Sequence, residues 1–492
     1  MIRSLNTKAA IVIAVTILLA GTSLLFTSLG FSDGGMHDAE YFMPAAINYA
    51  TGHGLINQVT KTVSSIGDTS GESKFLSYPP LFPVVVSWFL RPLNQISYVQ
   101  QTFVIAGLMN AINLILCAWI LWKVASLHGR KIDWAVVAFI CIVLLASLRP
   151  SLKFAGRPET LVRLFLSLGF LSVFYLRHLK INILIFAATL ALALATYPIG
   201  LFFALVVGLF FSFRESRALL KILPTYILSV LLFLLIMQVS PFSIHDTLSG
   251  ISRHSQETFS LFGSFERAFS LLGSPLWGLY AILIALLIFI WVKFYKKYQK
   301  NIQSPYLFVI FSLLSIWSLV YFLFLESRTY YLNVFFIFIF SAFTYYLFHI
   351  PSKNFIRKGI FVVTAMISIF SIQAILLFPF YLKNGISLAE ARERFQEMTP
   401  SRPSSKLLVT IYSWVVSDDY QRMVRLDDVP PESLNLSLVI LDQTYLNRLS
   451  PEPTFKNCPL EKNYFINQKP KIFNIPIADI TPGYGFAVYN CP

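Results

Sequence analysis

Charge is what this chain has least of. Only 13% of its 492 residues are Asp, Glu, Lys or Arg, and Asp plus Glu number 24. Between Leu81 and Pro379 the acids are seven: Asp133, Glu159, Glu215, Asp246, Glu257, Glu266 and Glu326. A chain that is 56% hydrophobic, with mean hydropathy +0.66, has too little polar surface to cover a soluble domain. Four cysteines are too few for a disulfide scaffold. No fixed-period repeat is present, so a stacked-repeat architecture is excluded. The first apolar run, Ala9 to Leu29, lacks an Ala-x-Ala-type cleavage site and is long, so it reads as a span that stays in place.

Long apolar runs are what the chain has instead. Several exceed the ~20 residues a helix needs to cross a bilayer. In lipid the backbone must satisfy its own hydrogen bonds, so the spans are helices. The sequence predicts an all-α polytopic membrane protein with spans at 9–29, 103–122, 134–148, 161–176, 182–196, 198–213, 222–239, 274–292, 305–325, 331–348 and 359–380. The pair at 182–196 and 198–213 breaks at Thr196-Tyr197-Pro198-Ile199-Gly200 and would also fit one kinked span. Charge decides for two spans. With 11 spans every predicted cytoplasmic loop is basic: Lys123, Arg130, Lys131; Arg177, Lys180; Arg214, Arg217, Lys221; Lys293, Lys296, Lys297, Lys300; and Lys353, Arg357, Lys358. The net charge of +15 is therefore a topology signal and not a nucleic-acid face. The N-terminus is expected in the cytoplasm of a multi-pass protein, in a bacterial inner or plasma membrane.

Two soluble pieces interrupt this pattern. Residues 30–80 form an outer loop within a membrane domain spanning 1–380. Asp38 is expected to cap a helix from Ala39 to about Ala50, stopped by Gly52 and Gly54. Gly67 to Ser73 reads as a flexible tip. Tyr78-Pro79-Pro80-Leu81-Phe82-Pro83 cannot be the interior of a regular helix and starts a short membrane-dipping segment ending near Arg91-Pro92. Residues 381–492 alternate polar and apolar positions, at Lys406–Tyr412 and Leu436–Leu441, and suggest a small extracytoplasmic α/β domain. Cys117 and Cys141 sit in apolar runs as small core residues. Cys458 and Cys491 lie in the tail and are candidates for a disulfide outside the cytoplasm.

Of the seven acids between Leu81 and Pro379, Asp133 and Glu215 fall beside cytoplasmic loops, and the other five fall on the outer face, where charge at a membrane boundary is costly unless paired or used. Four clusters meet there: Asp38 with Glu40; Gly156-Arg157-Pro158-Glu159 with Lys153 and Arg163; His245-Asp246 with Arg253 and His254; and Glu326-Ser327-Arg328-Thr329-Tyr330-Tyr331. Carboxylates beside guanidiniums can activate an acceptor hydroxyl while holding a phosphate. A carboxylate pair can also hold a divalent metal ion. Each cluster has a plainer reading. Asp38 can be a cap, Glu159 can simply pair with Arg157 or Arg163, and Tyr330 and Tyr331 belong to an aromatic belt.

The loop motif His37-Asp38-Ala39-Glu40-Tyr41 and, beyond it, Tyr78-Pro79-Pro80-Leu81-Phe82-Pro83 resemble the GT-C membrane glycosyltransferases. The nearer likeness is to the branch with protein O-mannosyltransferases and the lipid A aminoarabinose transferase. Arg157-Pro158-Glu159, the Tyr197-Pro198-Ile199-Gly200 break and Arg328-Thr329-Tyr330-Tyr331 fall in that family's order, over about residues 9–350. The resemblance implies sugar transfer from a polyprenyl-phosphate-linked donor to a lipid, glycan or protein acceptor on the extracytoplasmic face. It implies Asp38 as base, Glu40 as its assistant or a metal ligand, and Arg157 and Arg328 as ligands of the lipid phosphate. Glu159, Tyr78, His245, Asp246 and Glu326 would support them. The loop motif departs from the family in being Asp-Ala-Glu instead of two adjacent acids, and Tyr197 stands where many relatives carry a basic residue.

A transporter or flippase of a lipid-linked or small polar substrate is the competing reading. Transporters place charge near the midplane on broken helices, commonly in matched halves. Here the acids lie at the outer surface and the halves do not match.

A membrane-impermeant maleimide tests the tail's placement. Cys458 and Cys491 should be labelled in intact cells or spheroplasts only after reduction. Labelling that needs permeabilised membranes instead would place the tail inside.

Overall fold

The structure is a computed structural model. It describes residues 7–29, 35–56, 79–93, 96–127, 131–153, 156–175, 179–197, 218–239, 275–298, 329–349, 354–384 and 393, and in the tail the strands alone. Eleven helices lie among them. These are α1 (Thr7–Ser28), α2 (Gly35–Ala50), α3 (Leu81–Phe89), α4 (Tyr98–Ala125), α5 (Trp134–Lys153), α6 (Pro158–Tyr175), α7 (Leu179–Thr196), α8 (Ala218–Val239), α9 (Pro275–Tyr298), α10 (Thr329–His349) and α11 (Asn354–Asn384). Nine coincide with spans expected from sequence. The expected spans 198–213 and 305–325 lie outside the described residues.

The protein is an integral membrane protein. α1, α4 and Phe355–Ile372 of α11 are each long and apolar enough to cross a bilayer. Their outward faces carry large apolar side chains, such as Ile17 and Leu18 on α1, Ile112 and Trp119 on α4 and Ile369 on α11. Hydroxyls inside the helices bond back to their own backbone, as Thr16 does to Val12 O at 2.6 Å and Thr344 to Phe340 O at 2.7 Å. That return bond lets a polar side chain sit in lipid without an orphaned donor.

Packing relies on small residues and aromatic edges. α1 lies along α4, where a Cβ on Gly107 would stand 3.1 Å from the Leu24 carbonyl oxygen. α6 lies along α7 just as closely, since a Cβ on Gly169 would collide with Thr189 Oγ1. Phe139 on α5 meets Phe348 of α10 and Phe361 of α11 edge-on, with centroids 6.1 and 5.0 Å away. Phe170 of α6 meets Phe338 of α10 at 5.7 Å. Lys8 Nζ donates to Ile132 O at 2.7 Å and lies over the Trp134 ring, while His349 donates to Val124 O at 2.8 Å. These bonds tie α1, α5, α4 and α10 at one end of the bundle. The opposite end, where α4 and α6 begin and α5 finishes, is the rim.

At the rim the outer loop departs from expectation in one respect. α2 begins at Gly35, so Asp38 stands inside its first turn instead of capping it. The first turn is the positive end of the helix dipole. The helix stops as expected: Gly52 has φ +86 and His53 N–H donates to Asn48 O at 2.9 Å. Pro80 precedes α3, and Leu90 after it is extended, so the Pro-rich segment starts a short helix and not a span. Gln101 in the first turn of α4 then pins the link between α3 and α4. Its Oε1 accepts from Arg91 N–H at 2.9 Å, and its Nε2 donates to Arg91 O and Ile96 O.

In the tail five strands form one sheet, β1 (Lys406–Val409), β2 (Met423–Val424), β3 (Leu436–Asp442), β4 (Leu460–Asn463) and β7 (Phe486–Asn490), in the order β2-β1-β3-β7-β4. β1 pairs parallel with β2 and β3, and β7 pairs antiparallel with β3 and β4. β5 (Lys471–Ile472) and β6 (Ile475–Pro476) make a separate two-stranded pair. The strands expected near 406 and 436 are present. Cys458 and Cys491 lie outside the described residues.

Gly169→Ala is expected to destabilise the bundle by about 1–3 kcal/mol, because the Thr189 hydroxyl cannot rotate away without losing its bond to Phe186 O. Thermal unfolding in detergent should show the loss, and adding Thr189→Ala should recover most of it.

Candidate active site at the rim

The rim is built from the chain between α5 and α6. Gly156 has φ +80, a conformation that disfavours any side chain. Its bare face lies against α2: a Cβ there would be 3.4 Å from Ala39 Cβ and 3.3 Å from Met43 Cε. Ala39 sits between the two loop carboxylates in sequence. Successive helical residues turn by about 100°, so positions 38 and 40 fall on either side of the Ala39 contact, roughly 200° apart. Phe42 anchors the same face of α2 against Phe82 of α3, with centroids 5.5 Å apart.

Arg157 comes directly after Gly156 and starts α6, its carbonyl accepting from Thr160 N–H at 3.1 Å. Pro158 suits the first helical position, where no N–H is needed. Glu159 stands in the first turn, favoured by the dipole. The Arg157 Nε donates to Glu159 Oε2 and its Nη2 to Oε1, both at 3.2 Å. Both residues are buried, at 5% and 2% exposure. This side-on fork uses two of the five guanidinium N–H groups. The plainer reading of Glu159 thus holds as a fact, and it also fixes where Arg157 stands.

Two asparagines on α4 hold this connection from below. Asn110 Nδ2 donates to Ser151 O at 2.6 Å, before the turn, and Asn113 Nδ2 to Thr160 O at 2.8 Å, after it. One turn further in, Arg163 is buried at 2% exposure. It hydrogen-bonds the Cys117 thiol of α4. Cys117 also bonds Ser147 of α5, whose hydroxyl is within bonding distance of Val143 O at 2.9 Å. Sequence reading passed over this seam because single polar residues in apolar runs look like background. Their spacing was the signal: 110, 113, 117 on α4, 147, 151 on α5, and 160, 163, 167 on α6 each mark one helix face.

Of the residues singled out by sequence, the structure joins the segment carrying Asp38 and Glu40 to Arg157 and Glu159. Tyr78, His245, Asp246, Glu326 and Arg328 lie outside the described residues. Among the described residues no group of three His, Cys, Asp or Glu side chains comes together to hold a metal ion.

No protein-family model matches the chain, and no curated protein matches it. Solved structures do. The oligosaccharyltransferase AglB of Archaeoglobus fulgidus, in complex with an inhibitory peptide and a dolichol-phosphate, is 11% identical over 87% of this chain and 69% of its own, with TM-score 0.47. The same organism's oligosaccharyltransferase in complex with Zn and sulfate is 14% identical over 87% of this chain and 67% of its own, with TM-score 0.48. ArnT from Cupriavidus metallidurans, bound to undecaprenyl phosphate, is 13% identical over 97% of both chains, with TM-score 0.48. These proteins are GT-C membrane glycosyltransferases, the superfamily that the loop and rim motifs resemble. At such scores the likeness carries no argument about residues or activity, which rest on this chain's own side chains.

Removing one member of the rim pair should cost more than removing both. Glu159→Ala leaves a buried guanidinium without its carboxylate and is expected to lower stability by about 3–5 kcal/mol, whereas Arg157→Met with Glu159→Gln should cost far less. Denaturation of the purified variants decides; equal losses would show that the pair is solvated.

Proposed function

We propose that this chain is a glycosyltransferase that moves a sugar from a polyprenyl-phosphate-linked donor to an acceptor on the extracytoplasmic face of the membrane. The observation that carries the reading is the contact of Gly156 with Ala39. It sets the carboxylate-bearing turn of α2 and the guanidinium-bearing start of α6 on one wall. That backbone contact supports the reading because it puts two charge-bearing segments side by side in a chain that avoids charge.

In this reading Asp38 takes the proton from the acceptor hydroxyl. The hydroxyl oxygen bonds to the sugar's anomeric carbon, and the bond from that carbon to the phosphate oxygen breaks. The electron pair leaves with the polyprenyl phosphate, whose negative charge Arg157 and Arg328 stabilise. Attack opposite the leaving group inverts the anomeric centre. Glu159 holds Arg157 in place, so less guanidinium ordering remains to be done when the phosphate arrives. The divergence of positions 38 and 40 favours one carboxylate as base, with Glu40 in a separate role. The tail is assigned to acceptor selection or to covering the cavity. The transporter reading gains no support from the rim, where the carboxylate-bearing segments meet at one end of the bundle.

Membranes containing wild type or Asp38→Asn are compared for transfer from a radiolabelled polyprenyl-phosphate sugar. The variant keeps size and removes the base, and at equal abundance its rate should fall about a hundredfold to ten-thousandfold. Equal rates would remove Asp38 from the mechanism.

A further inference from the structure

Arg91 is the single charged residue between Lys74 and Lys123, and no Asp or Glu stands between Glu72 and Asp133. It lies in the link from α3 to α4, and its side chain is exposed. One buried side chain fixes how it is presented. Gln101 takes both backbone polar groups of Arg91, accepting from its N–H at 2.9 Å and donating to its carbonyl at 2.8 Å. The same amide donates to Ile96 O at 3.1 Å, and Leu93 and Ile96 face each other in an antiparallel bridge. The backbone is thus clamped on both sides of a turn that leaves the guanidinium outside. One of its N–H groups, on Nη1, donates to Leu90 O at 2.8 Å.

Large exposed apolar side chains flank Arg91 along the chain. Trp88 and Phe89 end α3 with 58% and 63% exposure, and Leu93 and Ile96 follow at 52% and 39%. Earlier positions of α3, Leu81, Phe82 and Val86, are buried instead. Water does not suit such a patch, whereas a bilayer surface satisfies both the cation and its apolar flanks. The position fits. α4 has 28 residues, about 42 Å, against a hydrocarbon core of ~30 Å. Counted ~20 residues back from Lys123, the far boundary falls near Phe103, so the link before Ser97 lies at headgroup level. Leu108, Ile112 and Ile115 extend the exposed apolar surface along α4 toward the other boundary.

We propose that Arg91, with Trp88, Phe89, Leu93 and Ile96, is a binding site for an anionic phospholipid. The guanidinium holds the headgroup phosphate, and the four apolar side chains sit among the first carbons of the acyl chains. A net anionic headgroup is preferred to a zwitterionic one because this stretch offers positive charge and no carboxylate to receive a headgroup ammonium. Phe82 of the same short helix seats Phe42 of α2, so the bound lipid bears on the placement of the loop helix. The site does not depend on sugar transfer.

The test titrates the full-length protein in detergent with phosphatidylglycerol and with phosphatidylcholine. Wild type should bind phosphatidylglycerol about fivefold more tightly, and Arg91→Gln, at unchanged melting temperature, should bind the two alike. Leu93→Ser combined with Ile96→Ser should weaken both lipids equally. An Arg91→Gln variant that keeps the preference overturns the inference, and so does one that loses both lipids equally. If only a polyprenyl phosphate, run alongside, loses affinity in Arg91→Gln, the link belongs to the donor's path and the inference fails. It fails too if the substitution changes the oligomeric mass and leaves both lipid affinities alone, since the patch is then a contact between copies of this chain. Should Arg91→Gln not fold, Trp88 reports in its place. The fluorescence that Trp88→Phe removes should be quenched more by brominated phosphatidylglycerol than by brominated phosphatidylcholine, and equal quenching overturns the inference. A protein with these lipid affinities and no sugar transfer keeps this inference and loses the glycosyltransferase reading.

Discussion

A guanidinium and a carboxylate buried together at a membrane boundary are tolerated only if protein surrounds them. Much of the rim's construction answers that constraint. Arg157 and Glu159 share a two-bond fork, and Gly156 removes the side chain that would hold the loop helix away from them. Asn110 and Asn113 use their amides to hold the backbone on either side of the turn. Each device would be surplus in a purely apolar bundle. Together they keep two buried charges in one fixed arrangement.

The bundle was largely legible in the sequence because lipid leaves the backbone one solution, and apolar length reports it directly. The end of α7 at Thr196 falls where the Tyr197-Pro198 break was expected, and the apolar stretch beyond it lies outside the described residues. The start of α2 was not legible. Gly35, Met36 and His37 carry no apolar period, and the first plausible cap was Asp38, so the helix was expected one turn late. The partnership of Arg157 with Glu159 was open from sequence, since Arg163 is an equally good neighbour by spacing. Only the position of the Arg157 side chain in the turn decides it. Asn110 and Asn113 were invisible for a different reason: their role is to hold backbone carbonyls on other elements, and no local pattern announces a partner 41 or 47 residues away.

The two soluble pieces differ in how they are held. The tail's sheet is closed by its own strand pairing, with β3 and β7 in register from Leu438 opposite Asn490 to Asp442 opposite Phe486. The outer loop has no such internal closure among the described residues. Its helix α2 depends on neighbours, on Phe82 through Phe42 and on Gly156 through Ala39 and Met43. Its placement is therefore a property of the membrane domain, and a change in the bundle is felt at the carboxylates before it is felt in the tail.

Pro44 lies inside α2, four residues after Glu40. Proline has no N–H, so the Glu40 carbonyl has no helical donor to receive, and the ladder is already open at that point. Tilting the first turn of α2 against the rest consequently breaks no hydrogen bond of the ladder there. Ala39 on one side of that gap and Ala45 and Ala46 on the other are all buried, so packing against neighbours, and not the ladder, holds the two halves of α2 in line.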